Sequence, residues 1–232
     1  MNELAFNGKN FLDFSAQVTK STFLRGAERD VTLFSVLGRN GVLSTDNGRF
    51  KEVPLVTEIA VKGDMQNNIE AMRNFLKASR GFCRYEESLC PDEFRLATYV
   101  KQFDPDKYDH LGAHVKLEFT AQPQRWLKSG EIPISVAQTM GILNPTLHDA
   151  EPLIKVTGTG TIQIGNITAT ISEHSFPYIY IDCEMMECYY GSNRAGEYVE
   201  LTNHEYPVLS PGLNNIVLDG VTLEVTPRWY NL

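Results

Sequence analysis

The sequence predicts a mainly β protein, and three observations carry that reading. Apolar and polar residues alternate with period two in many short runs. Turn residues, above all Asn-Gly, Gly-Asn and Asp-Gly, punctuate those runs. One window alone shows convincing helical spacing.

Residues 31–37 are rich in strand formers and precede Gly38-Arg39-Asn40-Gly41. Asn-Gly suits a two-residue type I′ hairpin, because both of its central residues need positive φ. Asp46-Asn47-Gly48 predicts a second turn, and 53–61 reads as a strand with Pro54 near its start. A helix is predicted over 65–79. Met65, Ile69, Met72 and Leu76 fall on one face beside Phe75, Asp64 suits the N-cap, and Gly81 lies just past the end. Strands resume at 94–100 and 114–120, with Val115, Leu117 and Phe119 on one face of the second. Asp104-Pro105-Asp106 predicts a turn between them.

The segment 127–150 holds Gly130, Pro133, Gly141 and Pro145 and has weak periodicity. A domain junction is expected there, dividing the chain into 1–128 and 129–232. Beyond it, 161–164 and 167–171 flank Gly165-Asn166, a hairpin signal. A strand is read at 178–182, and 216–218 and 221–225 flank Asp219-Gly220, another hairpin signal. Short strands at this spacing imply a β-sandwich.

Charge is uneven. Residues 1–120 carry 16 Lys+Arg and 17 Asp+Glu, whereas 121–232 carry 5 and 12. The acidic C-terminal half would repel nucleic acid and anionic lipid, so no sequence-specific nucleic-acid partner is expected. No apolar run approaches a membrane span. The N-terminus lacks a basic region followed by an apolar one, so no signal peptide is read and synthesis in a cytoplasm is expected. Cys83, Cys90, Cys183 and Cys188 lack C-x-x-C spacing and read as free thiols. Cys183 and Cys188 would face opposite sides of one continuous strand.

No catalytic, cofactor-binding or metal-binding residue is assigned, and the chain is not read as an enzyme. His110 and His114 have i,i+4 spacing, but Gly112 lies between them and an alternating strand begins at His114. No H-E-x-x-H, P-loop or G-x-S-x-G occurs, and Gly158-Thr159-Gly160 is followed by strand signals where a dinucleotide loop needs a helix. Asp182, Glu184 and Glu187 form an acidic cluster that reads as solvated loop; a glycoside hydrolase using Glu184 and Glu187 is a rival reading. Tyr178, Tyr180, Tyr189, Tyr190 and Tyr198 read as core or edge residues, and a carbohydrate-binding, lectin-like module built on them is the other rival.

Several motifs, taken in order, resemble the distal tail (Dit) family of long-tailed, non-contractile bacteriophages. They are Phe6-Asn7-Gly8, Gly38-Arg39-Asn40-Gly41 with Gly48 and Phe50, and Gln122-Pro123-Gln124-Arg125-Trp126 with Gly130-Glu131. Asn144-Pro145-Thr146, the stretch from Ala150 to Gly160, Asp182 and Pro211-Gly212-Leu213-Asn214 complete the set. The resemblance implies an N-terminal β-sandwich-like domain (1–128), with one helix and a hairpin, that assembles into a homohexameric ring. It implies a C-terminal galectin-like β-sandwich (129–232) on the ring's outside. Such a ring would sit at the virion's tail tip as a baseplate hub and let DNA pass. Its partners would be the major tail tube protein, the tape measure protein, and tail-associated lysin or tail fibre and receptor-binding proteins. The chain is compact and leaves no room for an inserted carbohydrate-binding module.

Overall fold

The computed structural model describes residues 2–109 and 112–232. The chain is mainly β, with a single α-helix among the described residues. It forms two compact units, Met1–Arg125 with Leu232, and Trp126–Asn231. The second unit holds four Lys+Arg and 12 Asp+Glu, so it carries the whole net charge of −8 and the first unit is neutral.

The first unit contains β1 (Leu4–Phe6), β2 (Lys9–Asn10), β3 (Ala16–Ser21), β4 (Arg29–Ser35), β5 (Val42–Phe50) and β6 (Val53–Val61). Then come α1 (Met65–Ala78), β7 (Cys83–Glu87), β8 (Glu93–Thr98), β9 (Pro105–Asp109) and β10 (Gly112–Ala121). The order β2-β1-β7-β8 makes one leaf, and β10-β6-β3, with β9 on the other edge of β10, makes a second. The leaves join where Ala97 and Thr98 pair with Ala121 and Thr120, and again through a bridge between Asn2 and Val18 of β3. The sheet therefore folds over at that corner and is sandwich-like. Phe6 and Tyr85 from one leaf lie with ring centres 5.0 and 5.1 Å from Phe119 of the other. Ile69, Met72 and Leu76 of α1 complete this core, as the helical spacing predicts.

A buried polar network bridges the leaves. Tyr85 Oη and Ser21 Oγ each donate to Glu87 Oε1 at 2.5 Å, and Asn2 Nδ2 donates to Oε2 at 3.3 Å. Because the Tyr85 proton is committed to Glu87, Thr57 Oγ1 must donate to Tyr85 Oη, 2.6 Å away. Burial, and then the Glu87 charge, push the Tyr85 phenol well up, so it stays a donor. Glu87→Gln removes the charge that strengthens these bonds and is expected to cost about 1–2 kcal/mol. A urea midpoint unchanged in this variant would show the network to be energetically idle. Arg95, fully buried, is held by backbone carbonyls. It donates to Phe23 O, Arg25 O and Pro123 O at 3.0, 2.5 and 3.3 Å. Burial, then the Arg125 charge, lower it to about 10, so it remains charged at neutral pH.

Several sequence expectations need correction. The loop between β4 and β5 runs from 36 to 41, because Ser35 pairs with Val42; it is not a two-residue Asn40-Gly41 turn. Gly38 and Gly41 take positive φ, but Asn40 does not. The type I′ geometry occurs instead at Asn7-Gly8, where φ is 48° and 76° and Phe6 pairs with Lys9. Asp46-Asn47-Gly48 is a bulge inside β5: Arg29 pairs with Phe50 and Val31 with Asp46, and Gly48 N donates to Asp46 Oδ1. Pro105 opens β9, an edge strand, where a turn was expected; an edge tolerates the missing donor. Asp64 does not cap α1 with its side chain, which accepts from Asn67 Nδ2.

Short strand β11 (Arg125–Leu127) leads into the second unit. There β12 (Ile134–Val136), β13 (Met140–Asn144), β14 (Leu153–Ile164), β15 (Ile167–Ile171), β16 (Ile179–Asp182) and β17 (Glu187–Tyr190) follow. The last strands are β18 (Asn193–Arg194), β19 (Val199–Leu201), β20 (Gly212–Thr226) and β21 (Tyr230–Asn231). Gly165-Asn166 makes the expected two-residue hairpin between β14 and β15. Positive φ at Gly165 alone fits type II′.

Asp219-Gly220 is not a hairpin. β20 runs unbroken through it and pairs with β14 along its length. The register shifts where Gly158 pairs with Val221 and Thr161 with Asp219. β14 carries one extra residue there, and the inward positions of β20 change from Ile216 and Leu218 to Val221, Leu223 and Val225. Below the bulge the strand order is β13-β20-β14-β15-β19; above it the order is β12-β20-β14-β16-β17-β18. Two long strands, bent together, thus supply both faces of a sandwich.

Candidate functional site

The C-terminal motifs serve the fold. Asn144 is buried; its Nδ2 donates to His148 O and Leu209 O at 2.9 and 2.7 Å. Its Oδ1 accepts from Thr146 N and Oγ1 at 2.9 and 2.8 Å. Asn214 closes the 210–214 turn through Ser210 N and Ser210 O, at 2.9 and 2.7 Å. Gly130 lets the chain pass Trp229 so closely that a Cβ there would lie 2.3 Å from Trp229 N.

Asp182 overturns the solvated-loop reading for its position. It is 2% exposed, and Arg228 grips both oxygens, at 2.7 and 3.0 Å. Burial alone would raise this carboxyl; the Arg228 bonds and the Met185 amide outweigh it and hold it below its ordinary value. Glu184, half exposed, also pairs with Arg228 at 3.2 Å, and Glu187 is exposed. Neither lines the groove of about 630 Å³ formed by Glu151, Asn166, Cys183, Met186, His204 and Tyr206 among others. Glu184 is engaged by Arg228, and Glu187 borders a different groove, beside Arg194 and Tyr206.

Cys183 and Cys188 do not share a continuous strand. A turn separates them, Cys188 pairs opposite Ile181, and both thiols are buried in the core. Burial raises both thiols, so they are poor nucleophiles. His110 lies outside the described residues, and with it the His110–His114 pair; His114 itself is on β10. Tyr178, Tyr180, Tyr189 and Tyr190 are half-buried and in mutual ring contact.

The most unusual surface belongs to the first unit. β4 and β5 form a separate two-stranded sheet, exposed along nearly all its length. Its outer end presents Leu33, Phe34, Val36, Leu37, Val42 and Leu43, all exposed, with Leu37 fully so. Its base carries three ion pairs, Arg29–Asp46, Arg49–Asp30 and Lys51–Glu28, at 2.6, 2.7 and 3.0 Å. A lone two-stranded hairpin is marginal in water, and a cluster of exposed apolar side chains marks an interaction site. The local signal in sequence was the strand run itself; that nothing in its own unit covers it was not readable there.

No protein-family model and no curated protein sequence matches the chain. Solved structures do. The crystal structure of the SPP1 Dit protein, described as a paradigm of the hub adsorption apparatus in phages infecting Gram-positive bacteria, aligns over 100% of both chains with a TM-score of 0.74 and 14% identity. The chain has the Dit fold. Two structures of the phage p2 baseplate in its activated conformation, with Sr and with Ca, align over 97% of each chain at 8% identity and a TM-score of 0.53. The bends, brackets and bulges described above are thus how this sequence builds a Dit fold. Its motif residues hold backbone and bury charge.

Proposed function

We propose that this chain is a structural component of a phage tail tip: copies close into a hexameric ring that joins the tail tube to the tip and lets DNA pass. The first unit builds the ring and the acidic, galectin-like second unit lies outside it. Its neighbours are the major tail tube protein, the tape measure protein, and a lysin, fibre or receptor-binding protein of the tip. The role is structural, without catalysis. The observation that carries this reading is the exposed β4–β5 hairpin, on a unit whose fold over its whole length is that of a phage hub protein. The hairpin's apolar end suits the surface of the next copy, and a head-to-tail contact of that kind closes into a ring when its rotation permits. The neutral first unit opposes such packing less than a strongly charged one would.

Light scattering on the full chain tests this. The Phe34→Ser, Leu37→Asp double variant should fold with an unchanged melting temperature, since both side chains are exposed, and should shift self-association at least tenfold towards monomer. Full-length protein that associates equally well with and without these substitutions would take the hairpin out of the assembly.

A further inference from the structure

The sequence holds three Asn-Gly pairs, Asn7-Gly8, Asn40-Gly41 and Asn47-Gly48. Such a pair is able to modify itself. The glycine's backbone nitrogen attacks the asparagine side-chain carbonyl carbon, and no Cβ on glycine blocks the approach. The structure treats the three pairs differently. At Asn47-Gly48 both reacting groups are held. Asn47 Nδ2 donates to Thr32 Oγ1 at 3.3 Å, and Gly48 N, the nucleophile, donates to Asp46 Oδ1 at 2.9 Å. The pair also lies inside β5, which is paired to β4 on both sides of it. Asn7-Gly8 forms a tight turn closed by the pairing of Phe6 with Lys9. There Asn7 N donates to Arg84 O at 2.9 Å and Asn7 Nδ2 to Ser79 Oγ at 3.2 Å, so the side chain is tied away from Gly8 N.

Asn40-Gly41 has none of these restraints. Both residues are exposed, and among the described residues neither the Asn40 amide nor Gly41 N has a hydrogen-bond partner. The backbone bond of this loop, Arg39 N to Val36 O at 3.2 Å, closes before the pair. No atom lies within 4 Å of where a Cβ on Gly41 would stand. We propose that Asn40 is a site of spontaneous, selective deamidation. Hydroxide takes the Gly41 amide proton, and the nitrogen attacks Asn40 Cγ. A C–N bond forms and closes a cyclic succinimide, the Cγ–Nδ2 bond breaks, and ammonia leaves. Water then opens the succinimide at either carbonyl, to aspartyl or iso-aspartyl. Nothing is oxidised or reduced, and water is the co-reactant.

Either product places a carboxylate at the hairpin's apolar end, where Arg39 is the one charge in 36–43 and Leu37, Val42 and Leu43 are exposed. The iso-aspartyl form also lengthens the main chain between Ser35 and Val42, which pair across the loop. A carboxylate carried into an apolar contact loses its water, so a chain that has aged before meeting other copies associates less well. That consequence rests on the hub reading of the hairpin; the chemistry at Asn40 does not.

Ageing of the full chain, held dilute in mildly alkaline buffer and followed by peptide mass spectrometry, tests the proposal. Fragmentation assigns each converted residue and separates aspartyl from iso-aspartyl. In the folded chain Asn40 should convert roughly tenfold faster than Asn7 and Asn47, whose hydrogen bonds must break first. In urea the three rates should converge, because the dipeptide is the same. Folded-state conversion at Asn40 no faster than at the other two, or an equal preference for Asn40 in urea, would overturn the proposal. Asn40→Asp, which copies one product, should shift self-association severalfold towards monomer, as should ageing of the parent; Asn40→Gln should not. Aged parent that associates like fresh parent, in a chain whose Phe34→Ser, Leu37→Asp variant does lose association, would overturn the consequence. Should that hairpin variant associate like the parent, the hub contact fails instead, and the selectivity of Asn40 is read independently of it.

Discussion

Arg228→Ala is expected to destabilise the second unit by about 3–5 kcal/mol, because it strands the buried Asp182 carboxylate without its cation. Both tryptophans of the chain, Trp126 and Trp229, lie in that unit, so tryptophan fluorescence reports its unfolding directly. The pH dependence has a defined sign. The Asp182 carboxyl is depressed in the folded state, so its contribution is complete above the ordinary value of 3.8 and is lost as pH falls through the lower folded value. The gap between parent and variant should therefore be widest near neutrality and narrow below about pH 4. Equal fluorescence midpoints in urea at pH 7 would mean that the pair does not hold the unit together.

Gly160→Val is expected to cost about 4 kcal/mol or more and to leave the second unit largely unfolded. Gly160 has φ of 145°, and a Cβ there would sit 2.0 Å from Asp219 O, a backbone atom that cannot move aside alone. Gly220 faces the same restriction from the other strand, 2.6 Å from Thr159 O. Gly191→Ala is the control: φ is 56°, but no atom lies within 4 Å of the added Cβ, so the cost should be about 1–2 kcal/mol. Comparable midpoints for these two variants would mean that the bulge tolerates side chains and does not determine the bend.

Much of this fold was legible residue by residue. β6 was read with its limits, because strand formers dominate 53–61 and Pro54 stands near the strand's start, where its missing donor is tolerated. α1 was read to within one residue at its end, because Ile69, Met72 and Leu76 mark a buried stripe that no strand could make. The Gly165-Asn166 hairpin was read because its geometry is local to the turn. Asp219-Gly220 carries the same kind of signal and means something else. A turn dipeptide demands a backbone conformation, and both a hairpin and a bulge supply it; which occurs depends on the partner strand, Gly158 to Thr161, some sixty residues away. Asp46-Asn47-Gly48 failed for the same reason, and the β4–β5 register resolves it.

The candidate sites divide along the same line. Sequence alone carried the β class, the helix, the charge asymmetry and the set of tyrosines, since each depends on residue type or short-range period. It did not carry that Asp182 meets Arg228 across 46 positions, that Cys183 and Cys188 share one core, or that Tyr180 and Tyr189 stand side by side on a solvent face. Those facts belong to register, because a one-residue slip would send each of these side chains to the opposite face of its sheet. Only strand pairing over the whole unit decides register. In the same way, the run 31–37 is a strand by its residue types, but only the surrounding structure leaves its apolar side chains uncovered.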